Sequence, residues 1–230
     1  MPHTGQKERS LDKTRAVEDY VKAIYSLQRG RSKPVSTSAL AERLGVTAPS
    51  ASGMVKRLAR MKLVRHVRYR GFLLTPAGER LALEVLRHHR LLELYLSEAF
   101  GMPWDKVHAE AEALEHVISE ELEERIALVL GDPKVDPHGD PIPSREGLID
   151  ELETVSLADL EPGQHATFAR VSDSNPAMLR YLSARSVRPG QQIEVREKQP
   201  FGGPLVVRIA KHDHALGAEL ALAMRVKLKD

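Results

Sequence analysis

The chain of 230 residues contains no cysteine. That excludes disulfides and thiolate metal sites, and it fits a chain of the reducing cytoplasm. No window approaches 18 uninterrupted apolar residues, so no membrane-spanning helix is expected. The opening stretch, MPHTGQKERSLDKTR, has no apolar core and does not read as a secretory signal. Signatures of several enzyme classes are missing as well. There is no His-Glu-x-x-His, no Ser/His/Asp arrangement with a recognisable elbow, and no phosphate loop. Internal repeats and low-complexity tracts are also absent.

What is present is a strong asymmetry of charge beneath a net of +2. Residues 1–75 carry 16 Lys/Arg against 5 Asp/Glu, and residues 76–150 carry 7 against 17. Residues 151–230 are balanced, 11 against 10. A basic first third points to a polyanion partner, and an acidic middle third suits cations.

Helical periodicity dominates to about residue 130. TRAVEDYVKAIYSL places Val17, Tyr20, Val21, Ile24 and Leu27 on one face, and GRSKP then breaks the pattern. A short helix is expected over 37–44, a turn at 45–47, and a second helix from about Pro49 to Met61 with Thr47 as its N-cap. VRHVRYRGFLLTPAG alternates apolar and basic residues around Tyr-Arg-Gly and reads as a β-hairpin. Helix-turn-helix plus hairpin is a winged helix. Two further helices are expected over roughly 76–99 and 103–130, followed by a proline-rich segment and a linker near 151–158. HATFARVS, QQIEVREK and PLVVRIA, with Pro-Gly turns at 162–163 and 189–190, then read as a small β-barrel. His212-Asp213-His214 reads as an exposed loop.

The expected recognition helix, PSASGMVKRLARM, starts with small polar residues and ends in cations. Thr37, Ser38, Thr47, Pro49, Ser50 and Ser52 are assigned to the DNA face, at the starts of the two helices and the turn between them. Lys56, Arg57 and Arg60 would face phosphates, with Arg65, Arg68 and Arg70 of the hairpin. So many small side chains imply few bidentate base contacts, so specificity would lean on DNA shape and thymine methyl groups.

A second constellation lies in HAEAEALEHVISEE. A helix advances about 100° per residue, so His108, Glu112, Glu115 and His116 would fall within an arc of roughly 100°. His89 and Glu93 share a face of the preceding helix, and the first helix offers Asp19. A single His/Glu pair at this spacing is usually a surface pair, but here three pairs (89/93, 108/112 and 112/116) sit on two neighbouring helices. Carboxylate oxygens with imidazole form a hard-to-borderline site, better suited to manganese or iron(II) than to zinc or copper(I). His66, His138, His165, His212 and His214 show no comparable spacing.

Several stretches together resemble the diphtheria toxin repressor family of metal-dependent transcriptional regulators, in its manganese-type branch. They are EDYVKAIYSL, LAERLGVTAPSASGMVKRL, HHRLLELYL, KVHAEAEALEHVISEELEERI and DPHGDPIP. The resemblance implies a homodimeric repressor of palindromic double-stranded operator DNA, with two metal sites per subunit. The primary site would use Asp19, Glu112, Glu115 and His116, and the ancillary site His89, Glu93 and His108. Iron-sensing relatives have methionine and cysteine where this chain has Asp19 and Glu112, while manganese-sensing ones have Asp and Glu. The implied ion is therefore Mn2+, with Fe2+ as the alternative. Lys22 departs from the manganese branch, which has a glutamate ligand there. Iron-type relatives also draw ligands from the barrel, and the place to look is near Asp173 and Asn175. Manganese or iron uptake genes are the implied targets.

The expected architecture is mainly α. It comprises a winged helix-turn-helix over 1–75, a helical metal-binding and dimerisation domain over 76–150, and a small SH3-like, FeoA-like β-barrel over 151–230. Two rival functions follow from the residues. A di-metal carboxylate enzyme would need Glu-x-x-His motifs on two helices, and neither helix has one. A winged-helix regulator of a small organic ligand would leave the His/Glu stripe unexplained.

Overall fold

The computed structural model describes residues 4–28, 33–150 and 153–229, with side chains from Thr14 onward. It divides into two compact units, Met1–Arg87 with Pro143–Leu148, and His88–Ile142 with Ile149–Asp230.

In the first unit, α1 (Thr4–Gln28) buries Val17, Tyr20, Val21 and Ile24, the face set by their helical spacing. The expected break at GRSKP lies partly outside the described residues. Two short helices follow, α2 (Thr37–Leu44) and α3 (Ala48–Arg60). The Ser36 hydroxyl accepts from Ala39 N and the Thr47 hydroxyl from Ser50 N, satisfying backbone donors at the two helix starts. Each such cap stabilises by about 1 kcal/mol. Gly45, at φ +63°, ends α2 in the left-handed conformation and turns the chain into α3.

Strands β1 (Val64–Val67) and β2 (Gly71–Leu74) pair antiparallel as the wing, Val64 opposite Leu74. Val35 and Phe72 exchange backbone hydrogen bonds of 2.8 and 3.0 Å, adding a one-residue bridge. Gly71 is required there: at φ +113°, a Cβ would lie 2.0 Å from the Val35 carbonyl oxygen. Leu40, Val55, Leu58 and Phe72 close the core against α1. Burying each of these side chains contributes on the order of 2 kcal/mol.

Helix α4 (Pro76–Phe100) passes from one unit to the other. In the second unit its later half packs with α5 (Val107–Leu114) and α6 (Glu120–Val129) around Leu91, Leu92, Ala111, Ile126 and Ile142. The single helix expected over 103–130 is thus two helices, interrupted at 115–119. Ser119 is the reason. Its hydroxyl accepts from Leu122 N, and Glu120, Glu121 and Glu123 fill the first turn of a new helix, where negative charge is favourable.

The C-terminal strands are β3 (Val155–Ser156), β4 (His165–Val171), β5 (Gln192–Lys198), β6 (Leu205–Ile209), β7 (His212–Leu216) and β8 (Met224–Leu228). They form one antiparallel sheet in the order β3-β8-β4-β5-β6-β7. Register shifts at Phe168/Arg170 and at Val195/Glu197 mark bulges that bend it. Helices α7 (Pro176–Ser183) and α8 (Ala218–Ala223) complete the unit. Phe168, Leu179, Leu182, Val195, Val207 and Val226 form its core. Two sequence expectations change here. The linker expected over 151–158 already carries β3 at 155–156, and its residues 151–152 lie outside the described residues. His212-Asp213-His214 is strand rather than loop, because Arg208 and Asp213 pair across β6 and β7.

Candidate metal centre and DNA-binding face

The two histidines of His88-His89 point to different tasks. His89 Nε2 lies 3.1 Å from Glu93 Oε1 and 3.1 Å from His108 Nδ1, and His108 Nδ1 lies 3.3 Å from Glu93 Oε1. Asp173, in the turn after β4, brings Oδ2 to 3.0 Å from His108 Nδ1. Three helical residues therefore meet a barrel carboxylate, the place in the barrel where ligands were expected. Asn175 does not join them. It caps α7, its side chain accepting from Ala177 N and Met178 N.

The separations are those of ligand atoms around one small cation. Six oxygen or nitrogen ligands at about 2.1 to 2.2 Å in an octahedron stand roughly 3 Å apart along its edges. Four such groups cluster here, and two of them, His89 and Glu93, are buried.

Glu112 and Glu115 gather on the other side of His89. His89 Nδ1 lies 2.5 Å from Glu115 Oε2 and 3.8 Å from Glu112 Oε1, so this imidazole faces one cluster with each nitrogen. His116 Nε2 lies 3.3 Å from Glu115 Oε1. Glu115 caps α5 in helical conformation and His116 lies in the turn beyond it, so the helix proper carries His108 and Glu112. Asp19 is half-buried on α1 in the first unit.

Sequence spacing missed a third group, Glu93 with Asp136 and His138. The turn Asp136–Asp140 builds it. Asp136 Oδ1 accepts from His138 N and Asp140 N at 2.8 and 3.0 Å. Gly139, at φ +89°, lets the turn press on β4, where a Cβ would stand 1.9 Å from the Ala169 carbonyl oxygen. His138 Nε2 donates to the Trp104 carbonyl at 2.7 Å. Its Nδ1 is left 3.7 Å from Glu93 Oε2 and 4.0 Å from Asp136 Oδ1, buried and without a hydrogen bond. A buried unpartnered imidazole nitrogen beside two carboxylates is the donor arrangement a cation completes. The available signal was the DPHGDP run itself, which has no helical period.

Charge at the centre is finely opposed. Burial would raise the Glu93 carboxyl, but His108, His138 and His89 outweigh it and hold it well below the usual carboxylate range. Asp173 and Glu93 push the His108 imidazole up to about 10. Burial pulls His138 down, yet Glu93 and Asp136 raise it to about 9. Asp136 itself is pushed up to about 7 by burial, Glu93 and Asp140. Oxygen and imidazole donors fit a hard or borderline divalent ion, and the chain has no cysteine thiolate to favour a soft one.

In the first unit, Ser38, Thr47, Pro49, Ser50, Lys56, Arg60 and Arg70 are exposed, while Thr37, Ser52 and Arg57 are half-buried. Arg65 and Arg68 are exposed on the wing. Sequence reasoning passed over Tyr69, which stands 89% exposed at the wing tip, its hydroxyl accepting from Arg68 at 2.8 Å.

Comparison with known proteins places this architecture. Residues 12–72 match the N-terminal DNA binding domain of iron dependent repressors, 75–144 their metal binding and dimerisation domain, and 155–228 the FeoA domain. The iron-dependent repressor IdeR of Mycobacterium tuberculosis is 33% identical over 222 residues, covering 91% of this chain and 96% of its own. The diphtheria toxin repressor of Corynebacterium diphtheriae is 36% identical over 177 residues, covering 77% of this chain and 74% of its own. Among solved structures, a manganese-dependent transcriptional repressor in complex with manganese superposes with a TM-score of 0.85 at 39% identity, covering 93% of this chain and 100% of that one. Fold and relatives define a metal-dependent, DNA-binding transcriptional repressor rather than an enzyme. The chain belongs to the diphtheria toxin repressor family.

Proposed function

We propose that this chain is a manganese-activated repressor, with iron(II) as the rival ion, that binds palindromic operators as a cytoplasmic homodimer and controls metal-uptake genes. The observation that carries the reading is the convergence of His89, Glu93, His108 and Asp173 on one point, all with hard or borderline donors. One ion per subunit would be held there. A second would be held by Glu112, Glu115 and His116 with Asp19. The Glu93–Asp136–His138 group extends the first site. A bound divalent ion supplies the positive charge that lets these buried carboxylates and neutral imidazoles share one small volume.

What the residues do follows from their elements. Asp19 belongs to the helix on which the winged helix-turn-helix is built, so engaging it restrains the DNA-binding unit. In a dimer that would set the separation of two recognition helices. Leu122, Leu128 and Val129 leave an exposed apolar stripe on α6, with Val117 before it, and this supports a dimer face there. Coupling between ion and operator is reciprocal, so DNA must tighten ion binding by the same factor. The manganese-bound relative favours manganese, and the iron-dependent relatives keep iron(II) as the rival.

The test is binding to an operator fragment selected from a random duplex pool, at fixed salt. Chelator comes first, then titrated manganese, iron(II) and zinc. Binding that appears only with metal, manganese at the lowest concentration, is the expected result. Equal binding in chelator would overturn metal activation and point to a regulator of another ligand.

A further inference from the structure

The chain has one tryptophan, and it lies against the group that sequence spacing missed. Trp104 precedes α5 and is buried within the barrel core rather than the helical core. Three contacts converge on it. Its carbonyl accepts the Nε2 hydrogen of His138 at 2.7 Å. Its ring stacks on His138, with centroids 5.7 Å apart and planes 17° from parallel, and the Arg188 guanidinium lies over the indole at 4.0 Å. Its Nε1 donates to the Leu179 carbonyl of α7 at 3.1 Å.

We propose that Trp104 is the positioning residue of the Glu93–Asp136–His138 group, and that it couples ion occupancy there to the seating of the barrel helix α7. The proposal rests on the metal reading above. A carbonyl can only accept, so its bond to Nε2 leaves Nδ1 to face Glu93 and Asp136. The stack then sets the plane in which that nitrogen points. Ligating imidazoles are commonly oriented in this way by a partner on the other nitrogen, and losing such a partner costs roughly 10- to 100-fold in metal affinity. Here the orienting residue also spans to the barrel through Nε1 and Arg188. An ion that holds His138 therefore holds the indole, and the indole holds α7. By reciprocity, whatever loosens α7 must weaken the ion.

The full chain supplies its own reporter. Manganese is titrated into the unaltered protein, with tryptophan emission and calorimetric binding followed in the same solution. Emission is expected to change with the binding isotherm. Trp104→Leu keeps the backbone carbonyl and removes the stack and the Nε1 donor. It is expected to weaken manganese binding about tenfold and to abolish the manganese-dependent hydrogen-exchange protection of α7 amides. Trp104→Phe, which keeps a ring on His138, should recover most of the affinity.

A merely structural tryptophan would loosen α7 in Trp104→Leu while leaving manganese affinity unchanged, and that result overturns the proposal. If Trp104→Leu does not fold, the unaltered protein decides. Manganese binding with unchanged emission overturns the coupling alone. No manganese binding at all overturns the metal reading and the coupling with it.

Discussion

His88 and Glu123 form a buried pair, with Nε2 3.0 Å from Oε2, across the gap between α4 and α6. The other nitrogen of His88 lies 3.2 Å from the carbonyl oxygen of Glu115. A carboxylate and a carbonyl both accept, so a doubly protonated imidazole satisfies this arrangement. One residue thus ties α6 to the backbone of a candidate ligand, directly beside His89. Breaking a buried pair by removing one partner strands the other, at a cost of about 3 kcal/mol. Glu123→Ala should therefore lower the unfolding free energy by about that amount, seen as a lower urea midpoint, and weaken manganese binding in the same protein. An unchanged midpoint would show that the pair carries no such energy.

Glu93 is the carboxylate common to the two clusters, facing His89, His108 and His138 together. Glu93→Gln keeps the shape and removes the charge. Manganese affinity at this centre should fall at least 10-fold, of the size seen when a ligand or its orienting partner is lost. Calorimetry on Glu93→Gln reads this directly. Asp173→Asn should fall less, since Asp173 is partly exposed while Glu93 is buried. The opposite order would move the centre of the site into the barrel.

Protons and ions compete for the same nitrogens. Asp173 and Glu93 push the His108 imidazole up to about 10, and, against burial, Glu93 and Asp136 raise His138 to about 9, from the usual 6.5 of an imidazole. Their contribution to the metal-free fold is therefore complete below pH 6.5 and is lost as pH rises through about 9 to 10. Glu93 has the opposite sign: its contribution is present above 4.5 and lost as pH falls through its lower folded value. A ligating imidazole must be neutral, so ion binding at pH 7 should release on the order of two protons. Calorimetry in buffers of different ionisation enthalpy measures that number. Affinity should rise between pH 6 and 9, and a flat profile would mean that neither histidine is a ligand.

Much of this was legible in local sequence. Ser36 and Thr47 announce their helices by capping, and the periodicity of α1 names its own buried face. His89 with Glu93 was legible as a pair one helical turn apart. The rest depended on contacts distant in the chain. Asp173 meets His108 from 65 positions away, and His138 meets Glu93 from a turn with no period to count. The break after Leu114 is a different case. Ser119 followed by four glutamates in the next five residues is an N-terminal signature, which helical periodicity alone does not register.

On the DNA face the prediction is electrostatic. Lys56 and Arg60 are exposed at the far end of α3, away from the small residues of its first turn. In the proposed reading they meet phosphates rather than bases. Arg60→Ala should weaken operator binding about equally across sequences and reduce the slope of log K against log salt by about 1 per subunit. Ser50→Ala, at the start of the same helix, should leave the slope alone and change sequence preference. A reversal of these two signatures would place the groove at the other end of α3.

The choice of ion is the sharpest test of the donor argument. Asp19 and Glu112 are oxygen donors at positions where the family resemblance implies sulfur in iron-sensing members. Sulfur is more polarisable and gains more from iron(II) than from manganese, whose preference is for oxygen. Replacing Asp19 with Met and Glu112 with Cys in one protein should therefore raise the potency of iron(II) in operator binding relative to manganese. The ratio of half-activating concentrations under anaerobic conditions reads this. It is insensitive to a general loss of stability, because both ions act on the same folded protein. If the ratio stays fixed while both potencies fall, Asp19 and Glu112 hold the ion without selecting it, and selection must then lie with His89, Glu93, His108 and Asp173.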